Sequence, residues 1–552
     1  MSLQFEDIRH ALIGEGVAIP GPFGPRALIY TDYVASGRSL DFIEETIRTQ
    51  VLPFYGNTHT ETSFTGRRTT ELRELARDAV REGVGADDGH AVIFTGAGTT
   101  AAADKLVRAL QLGGAAGRLG PDAVVLVGPY EHHSNDLPWR ESGAQLVRIP
   151  LDEAGGICLT TLKAALAAHR DAPLIVGAFS AASNVTGVRT DIRAVARALH
   201  AVGGWCVIDF AAAAPYIAVC MAESAPGAGD RIDAAFLSPH KFPGGPGASG
   251  ILIADRRLLS TARPTVVGGG TVSFVTPEDH RYVGSIEARE EAGTPSIVEN
   301  IRAGMVLALK TDLGAEAIEA REGQLARRLE QALSGVPGIE LLGPRNAPRL
   351  GIFSFNIRVG QRYLHHGFVV ALLNDLFGIQ ARGGCSCAGP YGHALLRIDM
   401  PKSRRHSDAV DRGLSVMRPG WVRLGVNYFF TEEDVDRIAR ALEFIAREGA
   451  GLLPLYELDA GESLWRARRP MAEDAPERLS DLWTRAAAPA PETPDFDTCL
   501  AEARSLAQDG RAQAAQAVAV QFDAADEELR WFWLPQEAAE AAHTPTEMED
   551  PA

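Results

Sequence analysis

Between about residues 28 and 255, short β-branched runs alternate with Ala-, Leu- and Arg-rich stretches, and no other feature of the chain limits its fold as much. The runs are VIF at 92–94, VVLV at 124–127, LIVGAF at 174–179, WCVIDF at 205–210, AAFLS at 234–238 and GILIA at 250–254. The alternation predicts βαβ units around a mostly parallel sheet, hence an α/β fold. A polar or Gly-rich turn follows each run, and ligands of open α/β sheets bind beyond the carboxyl ends of the strands. The chemistry is therefore expected just after these runs.

Further along, a helical pattern from Ser296 to about Leu333 reads as a connector into a second unit, with strands at 339–342, 351–357 and 421–427 and a helix at 432–447. The expected division is an N-terminal segment at 1–27, a large domain at 28–295, a smaller α+β domain at 296–454 and an extension at 455–552. In the extension, RAAAPAPETP precedes a helical stretch from Phe496 to about Phe522, and the final HTPTEMEDPA has a disordered composition. RWFWLP at 530–535 is an aromatic patch that either packs on the body or meets a partner.

The 552 residues are 46% hydrophobic and 23% charged, a soluble globular composition that excludes a collagenous, coiled-coil or mostly disordered chain. Net charge is −17, and the extension from Leu455 onward carries 8 basic against 21 acidic residues, so the rest is nearly neutral. No basic stripe is present to recruit phosphate backbones, and nucleic acid is not an expected partner. Glu6, Asp7 and Arg9 interrupt the place where a signal peptide needs an apolar stretch. The most apolar run, 207–222, contains Asp209 and Pro215 and is shorter than the ~20 residues of a membrane span, so a soluble cytoplasmic protein is expected. Six cysteines without regular spacing suggest reduced thiols, and Cys385-Ser-Cys387 lacks the second pair of a structural zinc site.

Three sites carry chemistry. Thr95-Gly-Ala-Gly-Thr-Thr100 follows a strand and opens a helix, where glycines admit an anion and the helix N-terminus favours phosphate; a simple helix cap fits as well, and no Walker lysine follows. Ser238-Pro-His-Lys241 puts Lys241 in a turn after a strand, where it reads as either a solvated lysine or a Schiff-base former. Asp209 ends an apolar run and so needs a cationic partner. A protonated pyridine nitrogen is such a partner, and Lys with Asp is the pair that pyridoxal phosphate requires.

With these, Glu131-His-His-Ser-Asn-Asp-Leu-Pro-Trp139, Ser183-Asn-Val-Thr-Gly187, Gly293-Thr-Pro295 and Arg382-Gly-Gly-Cys-Ser-Cys-Ala388 complete a set that resembles the class V aminotransferase family of fold-type I pyridoxal-phosphate enzymes. The similarity lies with the cysteine desulfurase and selenocysteine lyase branch, over roughly residues 28–447. It implies that Thr99, Thr100, Ser238 and His240 hold the cofactor phosphate, with Thr294 reaching it from a second subunit of a homodimer. It also implies that His132 stacks on the pyridine ring, Asn184 approaches the phenolic oxygen and Arg423 clamps the carboxylate of a small amino-acid substrate. Lys241 would then serve as Schiff base and general base, and a cysteine thiolate would take sulfur for an acceptor protein.

Counted from Arg382 and Ala388, Cys387 falls on the position of the nucleophile and Cys385 is extra. Arg382 puts a cation beside these thiols, which favours thiolate, although buried packing residues or a redox pair fit the same sequence. Ala212 stands where the family usually has Gln, and Asp104 where it usually has Asn. Desulfuration is the preferred chemistry. Transamination, epimerisation or another lyase reaction stays open, as does a cofactor-binding scaffold without turnover.

Overall fold

The computed structural model describes residues 3–58, 60–345, 347–469, 478–484 and 491–543. Seven strands build the main sheet: β1 (His90–Gly96), β2 (Val124–Val127), β3 (Gln145–Arg148), β4 (Ile175–Ser180), β5 (Trp205–Asp209), β6 (Ala234–Leu237) and β7 (Gly250–Asp255). Their order is β1-β7-β6-β5-β4-β2-β3. Neighbours from β6 to β3 run parallel, whereas β7 is antiparallel to both β6 and β1. The central strands β2, β4 and β6 are buried at every residue, as expected of a sheet covered on both faces. All six expected strands are present, and β3 is an addition. It is an edge strand of sequence QLVR, too polar and exposed to register as an apolar run.

The helical connector is two helices in place of one. Gly314, at φ +82°, separates Ile297–Leu313 from Ala315–Ser334, and that left-handed conformation ends the first helix cleanly. The second sheet comprises β8 (Ile339–Leu341), β9 (Ile352–Val359), β10 (Arg362–Leu364), β11 (Arg382–Gly384) and β12 (Trp421–Gly425), with β9 and β12 at its centre. The expected strands at 339–342, 351–357 and 421–427 correspond to β8, β9 and β12, and the helix at 432–447 to Glu432–Glu448. A parallel pairing of Ile379 with Ile29 brings the start of the 28–295 region alongside this unit.

In the extension, the helix Phe496–Ala512 buries Cys499, Leu500, Ala503 and Ala507. It is shorter than the stretch to Phe522. The RWFWLP segment packs on the body: Tyr363 N donates to Trp531 O and Trp533 N donates to Tyr363 O, so the tail lies along β10. Phe532, Trp533 and Leu534 are buried there. Most of RAAAPAPETP and all but the first residue of HTPTEMEDPA lie outside the described residues. Among the described residues no helix is long and apolar enough to cross a membrane.

Candidate active site

The loops at the carboxyl edge of the main sheet converge on one cavity of about 270 Å³. β5 ends on Asp209, β6 runs into the turn Pro239–Lys241, and a helix, α1 (Gly98–Leu112), starts where β1 ends. His132 comes from the loop after β2 and Asn184 from the loop after β4; Arg423 on β12 and Cys387 close the other side. The sequence places these residues up to 324 positions apart, from Thr99 to Arg423, and the fold gathers them. Thr99, Thr100, Ser238 and His240 line the same cavity. Thr294 does not line it and is exposed at the surface.

One end of the cavity gathers hydroxyl groups around the start of α1. Thr99 N donates to Ser238 Oγ at 3.0 Å, Thr99 Oγ1 lies 3.0 Å from Ser238 Oγ, and Thr100 Oγ1 lies 2.7 Å from Ser134 Oγ. Gly98 has φ +54°, and a Cβ there would stand 2.9 Å from both His240 Cε1 and Ser238 Oγ. Glycine thus keeps open a cradle that a side chain would fill, at the N-terminus of α1, where the helix dipole favours an anion.

At the other end, Asp209 Oδ1 accepts from Ala211 N at 2.8 Å and from Thr99 Oγ1 at 3.2 Å. Burial raises the Asp209 pKa against these bonds and against the charge of Lys241. The Lys241 ammonium has no hydrogen bond or ion pair among the described residues, and burial lowers its pKa to about 8 while Asp209 opposes the shift. His132 Nδ1 accepts from Ser134 N at 3.1 Å, and burial with Lys241 nearby brings its pKa down to about 3. Its imidazole is therefore neutral at pH 7, with the proton assigned to Nε2.

The motif around His132 has a structural reason. Buried Glu131 accepts from Ser180 N (3.0 Å), Ser180 Oγ (2.6 Å) and Asn135 Nδ2 (2.7 Å), and Asn135 in turn accepts from Trp139 Nε1. This network fixes the turn that presents His132 beside β4.

Asp32 is the site residue that sequence reasoning misses. Its Oδ1 accepts from Arg423 Nη2 at 3.0 Å and its Oδ2 from Arg382 Nε at 2.9 Å, so one carboxylate holds both arginines. Arg423 Nη1 also donates to the carbonyl of Asn184 (3.1 Å), and Arg423 Nε is buried without a partner. The Arg423 side chain is only 4% exposed, which removes it from the class of solvated surface arginines. Nothing local signals Asp32, because its partners are remote in sequence; only its apolar flank, Ile29 to Val34, hints at a buried charge.

Arg382-Gly-Gly, despite its two glycines, forms β11 and pairs with Trp421, Val422 and Arg423. Ser386 and Cys387 follow in a tight turn with φ of +52° and +53°. Asn184 Nδ2 donates to Ser386 O (2.8 Å) and His133 N to Cys387 O (2.9 Å), which holds this costly conformation in place. Cys387 lines the cavity and is exposed. Ala212 also lines it, whereas Asp104 pairs with Arg108 on the outer face of α1 and is not among the lining residues.

Comparison with known proteins decides the family: the model of "Aminotransferase class-V" matches residues 29–438. The chain belongs to the class-V aminotransferase family. This class-V chain is 27% identical over 420 residues to a probable cysteine desulfurase of Halalkalibacterium halodurans, covering 75% of the chain and 92% of that relative. It is 29% identical over 422 residues to a probable cysteine desulfurase of Staphylococcus aureus, covering 76% and 92%. Among solved structures it resembles an apo cysteine desulfurase from Thermococcus onnurineus, with a TM-score of 0.63, 24% identity and coverage of 76% and 94%. It is also similar to a cysteine desulfurase in S-sulfonic acid form from Escherichia coli, with a TM-score of 0.62, 23% identity and coverage of 80% and 98%. These likenesses show the fold-type I architecture of the class-V chain; the extension lies largely beyond the matched residues.

Proposed function

We propose that this class-V protein is a pyridoxal-phosphate-dependent cysteine desulfurase that removes sulfur, or selenium, from a small amino acid and works as a homodimer. The observation that carries the reading is the meeting of Lys241, Asp209, His132, Arg423 and Cys387 in one cavity. The cavity fits the cofactor: the Gly98 cradle leaves room for a phosphate, the Lys241 amine lacks a partner, and Asn184 Oδ1 is buried without a hydrogen bond. When bound, pyridoxal phosphate supplies an electron sink for charge developing at the substrate α-carbon.

The chain's own groups would do the rest. Thr99, Thr100, Ser238 and His240 hold the phosphate, and Thr294, exposed on its own subunit, reaches the phosphate of a second one. Asp209 presents a buried carboxylate to the ring nitrogen, and neutral His132 offers an uncharged aromatic face. Arg423, held by Asp32, presents a planar fork to the substrate carboxylate. Lys241, whose pKa burial lowers to about 8, takes the α-proton and returns it to carbon. The Cys387 thiolate bonds to the substrate sulfur as the carbon–sulfur bond breaks, which leaves a persulfide on Cys387 and alanine as the co-product. An exposed thiol at the cavity mouth suits onward transfer to an acceptor protein.

A second reading rests on Ala212, which puts a methyl group in the cavity where the resemblance calls for a glutamine side chain. Transamination, epimerisation or another lyase reaction would then replace desulfuration. Borohydride reduction followed by peptide mapping tests the cofactor assignment, with the label expected on Lys241; a labelled Lys241→Ala protein would overturn it. A screen for alanine, keto acid and sulfide separates the chemistries, because keto acid without sulfur on Cys387 selects the second reading.

A further inference from the structure

Cys385 has no part in the reaction just described, yet it stands two residues from the sulfur-accepting thiol. We propose that Cys385 is a resolving thiol for the Cys387 persulfide, so that the protein can release sulfide by itself and end each turnover as a Cys385–Cys387 disulfide. The inference rests on the desulfurase reading of Cys387.

The backbone around the two thiols supports it. Ala388 N donates to Cys385 O at 3.3 Å, so residues 385–388 close a β-turn, and the positive φ of Ser386 and Cys387 gives it the signs of a type I′ turn. Across such a turn the Cα atoms of Cys385 and Cys387 fall within the range of about 4.4–6.8 Å in which disulfides form. The turn is held from outside by Asn184 on Ser386 O and by His133 on Cys387 O, and Cys385 continues directly from β11. Neither thiol is buried. Cys387 faces the cavity, whereas Cys385 is not among its lining residues and so stays free of substrate. Cys387 is thus placed to receive sulfur, with Cys385 two residues away at the start of the same turn.

The step balances. The Cys385 thiolate attacks Cys387 Sγ, the sulfur–sulfur bond of the persulfide breaks, and hydrosulfide leaves with its electron pair. The sulfane sulfur is reduced to sulfide, and the two protein thiols are oxidised to a disulfide. A small dithiol reductant then restores both thiols by exchange.

Inorganic polysulfide can load Cys387 without cofactor or cysteine, which separates the two claims. In fully reduced, desalted protein treated with one equivalent of polysulfide, intact mass and peptide mapping should show the wild-type chain lighter by two hydrogens, with Cys385 and Cys387 joined and sulfide released. Cys385→Ser should instead retain one added sulfur on Cys387. Wild-type protein that keeps the added sulfur as long as Cys385→Ser, with Cys385 still alkylatable, would overturn the proposal. If Cys385→Ser accepts sulfur from polysulfide but never from cysteine in the cofactor-loaded protein, the desulfurase reading fails by itself.

Discussion

Lys241 and Asp32 are buried charges whose surroundings make measurable demands. Burial lowers Lys241 to about 8, while the unfolded chain holds the same proton to about 10.4. Between these values the folded apoprotein binds fewer protons than the unfolded chain, so this residue adds stability as pH rises from 8 towards 10. Only the neutral amine reacts with an aldehyde, so borohydride trapping of pyridoxal phosphate at Lys241 in the apoprotein should rise through pH 8. A midpoint near 10, as for exposed lysines, would contradict the buried setting. Asp32 compensates a nearly fully buried Arg423. Asp32→Ala should therefore cost about 3–5 kcal/mol in urea unfolding, because it strands a buried cation, and Asp32→Asn less. Asp209→Asn preserves shape and should retain cofactor while turnover falls on the order of a hundredfold, since the ring then loses its anionic partner. Equal losses of cofactor and turnover would mean a merely structural Asp209.

The turn from β1 into α1 makes the most local of the demands. Gly98 combines a left-handed backbone with a cradle too tight for a Cβ, so Gly98→Ala should weaken pyridoxal phosphate binding at least about tenfold by equilibrium dialysis and cost about 1 kcal/mol of stability. Unchanged affinity would place the phosphate elsewhere. How much of this could be read in advance differs from element to element. The strands ending at Ser180, Asp209 and Leu237 were legible because each is an apolar run followed by a polar turn, and that pattern alone put Asp209 and Lys241 at a sheet edge. β3 was not, since an edge strand needs no apolar face, and β11 was not, since Arg-Gly-Gly has no strand propensity and is held by pairing with β12. Asp32 was hidden because an ion pair spanning 391 positions leaves no trace in local sequence. The resemblance to class-V motifs pointed to His132, Asn184, Arg423 and Cys387, which line the same cavity.

Taken as a whole, the molecule completes its core with described parts of its acidic extension. Asp497 pairs with Arg440, Glu528 with Arg405 and Glu527 with Arg362, so tail acids sit on arginines of the body while Phe532 and Trp533 fill apolar space beside β10. Trp531 stacks on His365 and His366, with ring centroids 5.4 Å and 5.9 Å away, next to the strand that leads to the cysteine turn. A chain ending at Leu455 should accordingly lose soluble protein, and Phe532→Ala should cost about 3–5 kcal/mol by thermal or urea unfolding. A soluble, cofactor-binding truncation would show that the body closes without its tail. The reaction itself is tested most directly by a single turnover of cofactor-loaded protein with cysteine, following alanine and the mass of the Cys387 peptide. Wild-type protein should form one alanine per chain together with sulfur transfer to Cys387 or its release as sulfide, and Cys387→Ser should form neither. A Cys387→Ser protein that produces alanine at the wild-type rate, or a wild-type protein that yields keto acid and leaves Cys387 unmodified, would contradict the desulfurase account.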